Sequence, residues 1–256
     1  VLPRLTSLQG HGRMFYLAKT LATFGLTESL TGERLAGFED AFPGIKLGLR
    51  AKFPEIQVKL YGRGPDERQL REQLDHATQR VAQRMGNKVF SENGDAMEKI
   101  VGDLLRQKRA TLALAESCTG GLIAHLLTNV PGSSDYLLFA GVTYSNQSKI
   151  KVLNVSSTTL ERYGAVHEET AKEMAQGARL IAGATYGLAT SGIAGPTGGT
   201  DEKPVGTVCI GLATPTGTFG HRYHLYFGSR SMHKQIFAMA ALDRLRRALL
   251  GIRKDG

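Results

Sequence analysis

Apolar residues in the first 86 positions recur with two different spacings. Positions three or four apart indicate amphipathic helices, and strict alternation of apolar with polar residues indicates half-buried strands. The predicted helices are 12–24, 27–38 and 66–85, and the predicted strands are Ile45–Arg50 and Ile56–Tyr61, joined around Pro54. Residues 1–12 are interpreted as a loop or a strand remnant, and residues 87–94 as a linker. This pattern predicts a small α+β domain over 1–90.

Beyond residue 95, short apolar runs alternate with amphipathic segments. Strands are predicted at 110–115, 140–144 and 186–190, followed by a hairpin of 205–213 and 219–227. Helices are predicted at 95–108, 120–130, 146–153, 158–163, 168–182 and 231–250. The antiparallel hairpin makes the sheet mixed, so we predict a three-layer α/β/α domain over 95–256. In its last helix we place Arg244, Arg246 and Arg247 on the outward face.

Composition narrows the class of protein. The 256 residues are 41% hydrophobic and 21% charged, which is typical of a globular protein. Neither a run of membrane-spanning length nor a signal peptide is visible, so we expect a cytoplasmic protein without a membrane partner. Two cysteines, Cys118 and Cys209, are too few for a disulfide scaffold or a cysteine metal site, and we expect neither metal nor cofactor. A chain that starts at Val1 is compatible with a fragment or processed product that lacks an upstream domain.

Net charge and pI add a preference for anions. The formal charge is +9 and the sequence pI is about 9.6. Such a charge attracts polyanions or phosphate-bearing small substrates by long-range steering. It is weak evidence for a nucleic-acid partner when taken alone.

Ser117 lies between a predicted buried strand and a predicted helix. Backbone N–H groups of a first helical turn point at such a position, where an acyl-transfer enzyme places its serine and oxyanion donors. The donors there would be the amides of Cys118, Thr119, Gly120 and Gly121. A serine before a helix is more often only an N-cap, and this segment alone favours the cap. Cys118 is the second-ranked nucleophile.

A base for Ser117 is suggested by the segment after the next strand. Tyr144 and Lys149 are five residues apart across a strand-to-helix turn, so both side chains can reach one pocket. A partly desolvated lysine has a lowered pKa and can act as a general base, and Ser–Lys pairs are an established way to activate serine. Without further context, a solvated lysine and a strand aromatic are the favoured interpretation.

A third segment, 191–199, follows a strand and is rich in glycine. It lacks the Walker A and Gly-x-Gly-x-x-Gly patterns. Gly192, Gly195 and Gly198 would let backbone amides face a phosphate or carboxylate, although a surface loop is the simpler interpretation. Arg230, at the start of the last helix, could add a charge-assisted contact to a phosphate, but alone it is more often a surface arginine.

Five blocks taken together resemble the CinA C-terminal domain family over residues 95–252. The blocks are Ala115–Gly121, Val142–Asn146, Gly164–Val166, Ser191–Pro196 and Lys203–Val208. Residues 13–90 more loosely resemble the KH-like middle domain of full-length CinA (competence/damage-inducible) proteins. Full-length members carry a further N-terminal domain that resembles molybdopterin-binding proteins.

The resemblance implies an amidohydrolase that converts nicotinamide mononucleotide to nicotinic acid mononucleotide and ammonia. It implies that Ser117 is the nucleophile, assisted by Tyr144 and Lys149, that residues 192–199 contact the ligand, and that Arg230 holds the nucleotide phosphate. We expect a small-molecule nucleotide as substrate and a homodimer.

A nucleic-acid partner is not expected, because the KH-like part has only Gly62-Arg63-Gly64 where a Gly-x-x-Gly loop would clamp nucleic acid. The alternative function is an accessory protein that binds nucleic acid in competence or the response to DNA damage.

Overall fold

The structure is a computed structural model and describes residues 14–252. Contacts within the chain divide it into two compact units, with the division between Ala96 and Met97. The segment 1–12, interpreted above as a loop or strand remnant, lies outside the described residues.

The first unit is a four-stranded antiparallel sheet with helices on one face. Its elements in chain order are β1 Phe15–Thr23, α1 Glu28–Arg34, α2 Phe38–Ala41, β2 Ile45–Lys52, β3 Glu55–Gly64, α3 Glu67–Met85 and β4 Val89–Ser91. The strand order β2-β3-β1-β4 with this βαββαβ sequence of elements is the split βαβ arrangement. The core lies between sheet and α3, where Leu21, Val58 and Leu60 pack with Leu74 and Val81.

The predicted helix over 12–24 is wrong, because residues 15–23 form β1. Their apolar spacing fits a helix, but the strand pairs with β3 along its whole length, from Phe15 opposite Gly64 to Thr23 opposite Ile56. Sheet pairing and burial therefore outweigh the local periodicity. The predicted linker 87–94 is also partly wrong, since it contains β4, which pairs with β1. The predicted strands 45–50 and 56–61 and the helix 66–85 agree with the structure, whereas α1 covers only part of the predicted helix 27–38 and α2 shares only Phe38 with it.

The second unit is a five-stranded mixed sheet between two layers of helices, as predicted. Its helices are α4 Met97–Gln107, α5 Leu122–Thr128, α6 Asn146–Leu153, α7 Ser157–Tyr163, α8 Glu168–Ala182 and α9 Arg230–Leu249. Its strands are β5 Leu112–Glu116, β6 Leu137–Val142, β7 Tyr186–Gly192, β8 Thr207–Thr214 and β9 Gly217–His224. The strand order is β6-β5-β7-β8-β9, with β5, β6 and β7 parallel and the hairpin antiparallel.

Side chains of β5 alternate between the two faces of the sheet and so contribute to the core on both sides. Ala113 and Ala115 belong to the cluster that contains Met174 and Ala178 of α8. Helix α8 approaches the sheet so closely that a Cβ on Gly211 would overlap the carbonyl group of Ala171. Helices α4, α5 and α9 pack together as the other layer.

The predicted outward placement of Arg246 and Arg247 is wrong. Both side chains are buried and share the carboxylate of Asp243, with Nε to carboxylate oxygen distances of 2.8 Å and 2.7 Å. A buried guanidinium needs a charged partner, and the i, i+3 and i, i+4 spacing on one helix supplies it. Sequence periodicity alone assigns an arginine to solvent and cannot see this pairing.

Candidate active site

The Ser117 turn is fixed by its neighbours in the sheet. Ser117 N donates to Thr190 O of β7 at 3.0 Å, and Thr143 N donates to Glu116 O at 2.9 Å. After the turn, Gly120 and Gly121 have φ values of 61° and 89°, a left-handed conformation that favours glycine. The two glycines therefore allow β5 to pass directly into α5, which leaves Ser117 at the carboxyl end of the parallel strands.

Glu116 holds this turn from within and was missed as a functional residue by the sequence reasoning. Its buried carboxylate accepts backbone hydrogen bonds from Gly121 (2.9 Å), Ile123 (3.2 Å) and Ala124 (2.8 Å). It thus satisfies amides of the first turn of α5 that have no intrahelical partner. The signal that could have found it is a carboxylate at the end of an otherwise apolar strand.

Lys149 lies beside Ser117. Its Nζ is 3.2 Å from Ser117 Oγ, 2.8 Å from Thr143 O and 3.1 Å from Tyr144 O. The lysine is only 1% exposed, and burial lowers its pKa below the usual 10.5. Lys149 belongs to helix α6, whose N-cap Ser145 accepts from Ser148 N at 3.0 Å. The structure therefore brings together two of the three predicted catalytic side chains.

The main chain and the side chain of Tyr144 contact different residues of the site. Its carbonyl group holds Lys149, whereas its side chain is 62% exposed and its hydroxyl accepts from Arg230 Nη2 at 3.2 Å. Arg230 also donates from Nη1 to Gly195 O at 2.7 Å. Arg230 thus joins the glycine-rich loop to Tyr144, and a guanidinium retains further N–H groups beyond these two.

A pocket of about 260 Å³ lies between these groups. It is lined by most of the predicted site residues, namely Ser117, Cys118, Tyr144, Lys149, Gly192, Gly195, Gly198 and Arg230. Thr119, Gly120 and Gly121 are not among its lining residues. Thr119 is buried with its hydroxyl 2.8 Å from that of Thr190, and the Gly120 and Gly121 amides donate to Ser117 O and to Glu116.

The Cys118 thiol, the second-ranked nucleophile, has a raised pKa. Burial raises the pKa of its thiol to about 12, although a hydrogen bond with Thr190 opposes the shift. A thiol with such a pKa is almost fully protonated near neutral pH and is a poor nucleophile.

His233 is a second residue that the sequence reasoning missed. It is buried, with Nδ1 2.9 Å from Ala194 O, and its Nε2 accepts from Phe227 N at 2.9 Å. These partners require a proton on Nδ1 and none on Nε2, which is the neutral imidazole. His233 therefore ties the glycine-rich loop to the segment before Arg230, a role for which the sequence carries no signal.

The structure describes no site for a metal and no membrane span. Within residues 14–252, no group of three or more His, Cys, Asp or Glu side chains is placed to hold a metal ion. None of the helices in the same range has both the length and the apolar character needed to cross a membrane.

The fold and the pocket define the class: a KH-like α+β domain followed by a three-layer α/β/α domain with a polar pocket where its parallel strands end. The chain belongs to the CinA family, as its motifs predicted. The CinA C-terminal domain family matches residues 94–249, and the damage-inducible protein CinA KH domain matches residues 18–91.

Relatives of known sequence agree. A CinA-like protein of Desulfosudis oleivorans is 58% identical over 250 residues, which cover 98% of this chain and 60% of that protein. A CinA-like protein of Desulforapulum autotrophicum is 55% identical, over 91% of this chain and 55% of its own length. The chain thus spans a little more than half the length of these relatives.

Solved structures resemble part of the chain. The competence/damage inducible protein CihA from Agrobacterium tumefaciens is 37% identical, with a TM-score of 0.57, and covers 60% of this chain and 93% of its own. A CinA superfamily protein from Escherichia coli is 32% identical, with a TM-score of 0.56, over 63% of this chain and 97% of its own.

Proposed function

We propose that this chain is an amidohydrolase that deamidates nicotinamide mononucleotide, with Ser117 as nucleophile and Lys149 as general base. The observation that carries the proposal is the buried Lys149 Nζ, 3.2 Å from Ser117 Oγ in a pocket that Arg230 also lines. Burial favours the neutral amine, which is the form that can accept a proton. Membership of the CinA family supports the same assignment.

The contacts of Lys149 suit a neutral amine. A neutral amine has two N–H bonds and one lone pair. In the structure Nζ donates to both carbonyl groups, of Thr143 and Tyr144, and to Ser117 Oγ. Loss of one proton keeps the two bonds to the carbonyl groups and turns the lone pair towards the hydroxyl hydrogen of Ser117. In this state the serine donates to the lysine, which is the arrangement needed for proton removal.

The reaction then proceeds in two halves. Lys149 takes the Ser117 proton as Oγ attacks the carboxamide carbon, and the protonated amine passes that proton to the leaving nitrogen, which departs as ammonia. Water, deprotonated by Lys149, attacks the acyl-serine and releases the carboxylate with Ser117 restored. The Cys118 amide, the one of the four predicted donors whose residue lines the pocket together with Ser117, is the proposed oxyanion donor.

Arg230 is proposed to bind the substrate phosphate at the mouth of the pocket. Its contacts with Gly195 and Tyr144 fix the guanidinium plane, so its remaining N–H groups are preorganised for an anion. The net charge of +9 adds long-range attraction for a phosphorylated substrate.

The test is ammonia release from nicotinamide mononucleotide by the chain and by two neighbouring variants. Ser117→Ala is expected to lose turnover while retaining mononucleotide binding, measured by calorimetry. Cys118→Ala is the matched control, and it is expected to keep activity within a few-fold. A dead Cys118→Ala beside an active Ser117→Ala would reverse the nucleophile, and an inactive parent chain would remove the proposed reaction.

Substrate choice is tested separately with the phosphate-free nucleoside. Arg230→Gln is expected to raise KM for the mononucleotide by about 10- to 100-fold, since one charge-assisted contact is lost. It should leave hydrolysis of nicotinamide riboside almost unchanged. Equal losses on both substrates would show that Arg230 acts on the pocket and not on the phosphate.

A further inference from the structure

A second cavity, of about 640 Å³, lies against the sheet of the second unit. Three glycines of β7, β8 and β9 lie against α8 on the opposite face, because a Cβ on any of them would overlap the α8 backbone: Gly187, Gly211 and Gly220. Side chains alternate along a strand, so the positions beside these glycines face the α9 layer. Four of those positions line the cavity: Tyr186, Leu212, Phe219 and His221.

The last turns of α9 form the facing wall and carry positive charge. Arg244 and Arg247 line the cavity and are neighbours on the helix surface, three residues apart. Arg244 Nη2 contacts His221 Nε2 and so joins α9 to β9 across the cavity. Asp243 pairs with both Arg246 and Arg247. One carboxylate against two guanidinium groups leaves a net positive charge, to which Arg244 adds another.

The rest of the wall is largely apolar, and none of the described residues that line it is acidic. Phe219 is 46% exposed, so a ring placed against it would bury apolar surface that is now open to water. Leu212, its partner on β8, adds apolar surface beside it. A cavity of this size, with apolar walls and a few charged groups, is typical of sites for small molecules.

We propose that this α9 cavity, lined by Tyr186, Leu212, Phe219, His221, Arg244 and Arg247, binds a small organic anion with a flat, apolar body. The two guanidinium groups attract its carboxylate or phosphate and form charge-assisted hydrogen bonds with it. The apolar body packs against Phe219 and Leu212. A neutral ligand of the same shape lacks the ionic contact, and an inorganic anion lacks the packing, so both should bind more weakly.

The α9 cavity is separate from the Ser117 pocket. Within the described part of the chain, the two share no lining residue. Arg230 and Arg244 are 14 residues apart on α9, or about 21 Å at about 1.5 Å per residue. Ser117 follows the carboxyl end of β5, whereas Tyr186 begins β7, which runs parallel to β5. The proposed site therefore lies at the opposite end of the sheet and does not depend on the proposed reaction.

The experiment titrates the whole chain with three matched probes, observed by saturation-transfer NMR and calorimetry: naphthoate, naphthyl phosphate and the neutral naphthalenemethanol. At least one anion is expected to bind with a millimolar or lower Kd, and the alcohol about tenfold more weakly or less tightly still. The two anions distinguish a carboxylate ligand from a phosphate ligand. Absence of binding by both anions, or equal affinity for the alcohol, would overturn the proposal.

The ionic contact is tested by a matched pair of variants. Arg244→Gln is expected to weaken anion binding about tenfold or more and to leave the alcohol almost unaffected, since a charge-assisted contact is lost. Arg162→Gln removes the same charge from an exposed position on α7 and should change neither. Equal effects of the two substitutions would contradict the assignment. Phe219→Ala, at an exposed position, should weaken binding of all three probes, and unchanged affinities would also count against the site.

Two further measurements exclude other occupants of the cavity and other sites for the probes. Arg230→Gln should leave intact the binding that Arg244→Gln weakens; the reverse result would place the probes in the Ser117 pocket and overturn the proposal. Sedimentation velocity should show the same mass for the parent and for Phe219→Ala. A dimer that this substitution dissociates would show that a second copy covers the cavity, against the proposal. None of these readouts involves amide hydrolysis, so they are independent of the proposed reaction.

Discussion

Substitution of Glu116 by glutamine tests whether the Ser117 turn is held by a buried carboxylate. Glu116 uses Oε2 for the Gly121 and Ile123 amides and Oε1 for the Ala124 amide, at 2.8 to 3.2 Å. Glutamine has the same shape, but its NH₂ group would face an amide hydrogen where one carboxylate oxygen now accepts. One hydrogen bond to a charged group is then lost and the other two become neutral.

The expected loss in the free energy of unfolding is about 2–4 kcal/mol, since hydrogen bonds to charged groups are each worth roughly 1.5–3 kcal/mol. For a unit of this size the melting temperature should fall by about 5–10 °C in differential scanning calorimetry. Turnover should fall as well, because the turn carries Ser117, the proposed nucleophile.

Glu169→Gln is the matched control for this substitution. The Glu169 carboxylate forms a surface ion pair with Lys172 at 2.8 Å, and such pairs contribute about 1 kcal/mol or less. A Glu116→Gln melting temperature within about 1 °C of the parent, or equal to that of the control, would refute the assigned role of the carboxylate.

Two further predictions concern pH and packing. Because burial lowers the pKa of Lys149 below 10.5, the unfolded chain binds this proton more tightly. The free energy of unfolding of the parent relative to that of Lys149→Met should therefore increase as pH rises from the folded-state pKa towards 10.5. The kcat/KM of the parent should also rise as Lys149 loses its proton. Parallel plots of unfolding free energy against pH for the two proteins would contradict the stability prediction. Gly211→Ala should destabilise the second unit by roughly 1–3 kcal/mol or more, because the new methyl group overlaps the Ala171 carbonyl. Gly183→Ala is the control, because Gly183 follows α8 with φ 59° and a Cβ there meets nothing within 4 Å. In chemical denaturation this variant measures the cost of backbone strain without the cost of overlap.

Local patterns determined most of the second unit. Helix α8 has the bounds expected from its apolar period, 168–182, and α6 those expected over 146–153. These segments agree with the tertiary fold because the face that periodicity selects is the face that packs on the sheet. The order of strand, Ser117 and helix was also readable, since turn residues and apolar runs are local signals.

Long-range contacts decided what the patterns could not. Residues 15–23 have a helical spacing of apolar positions, yet pairing with β3, more than 30 residues away, makes them a strand. Asp243 turned Arg246 and Arg247 inward, against the assignment of charge to solvent.

The candidate site is divided in the same way. The sequence by itself determined which residue types stand at the carboxyl ends of the strands, including Ser117, Tyr144 and Lys149. Only the tertiary structure decided that Lys149 Nζ reaches Ser117 Oγ, through the parallel pairing of β5 with β6, and that Arg230 at the start of α9 reaches Gly195. The physical reason is that a strand's local pattern specifies its faces, whereas its neighbours depend on burial and backbone pairing across the whole chain.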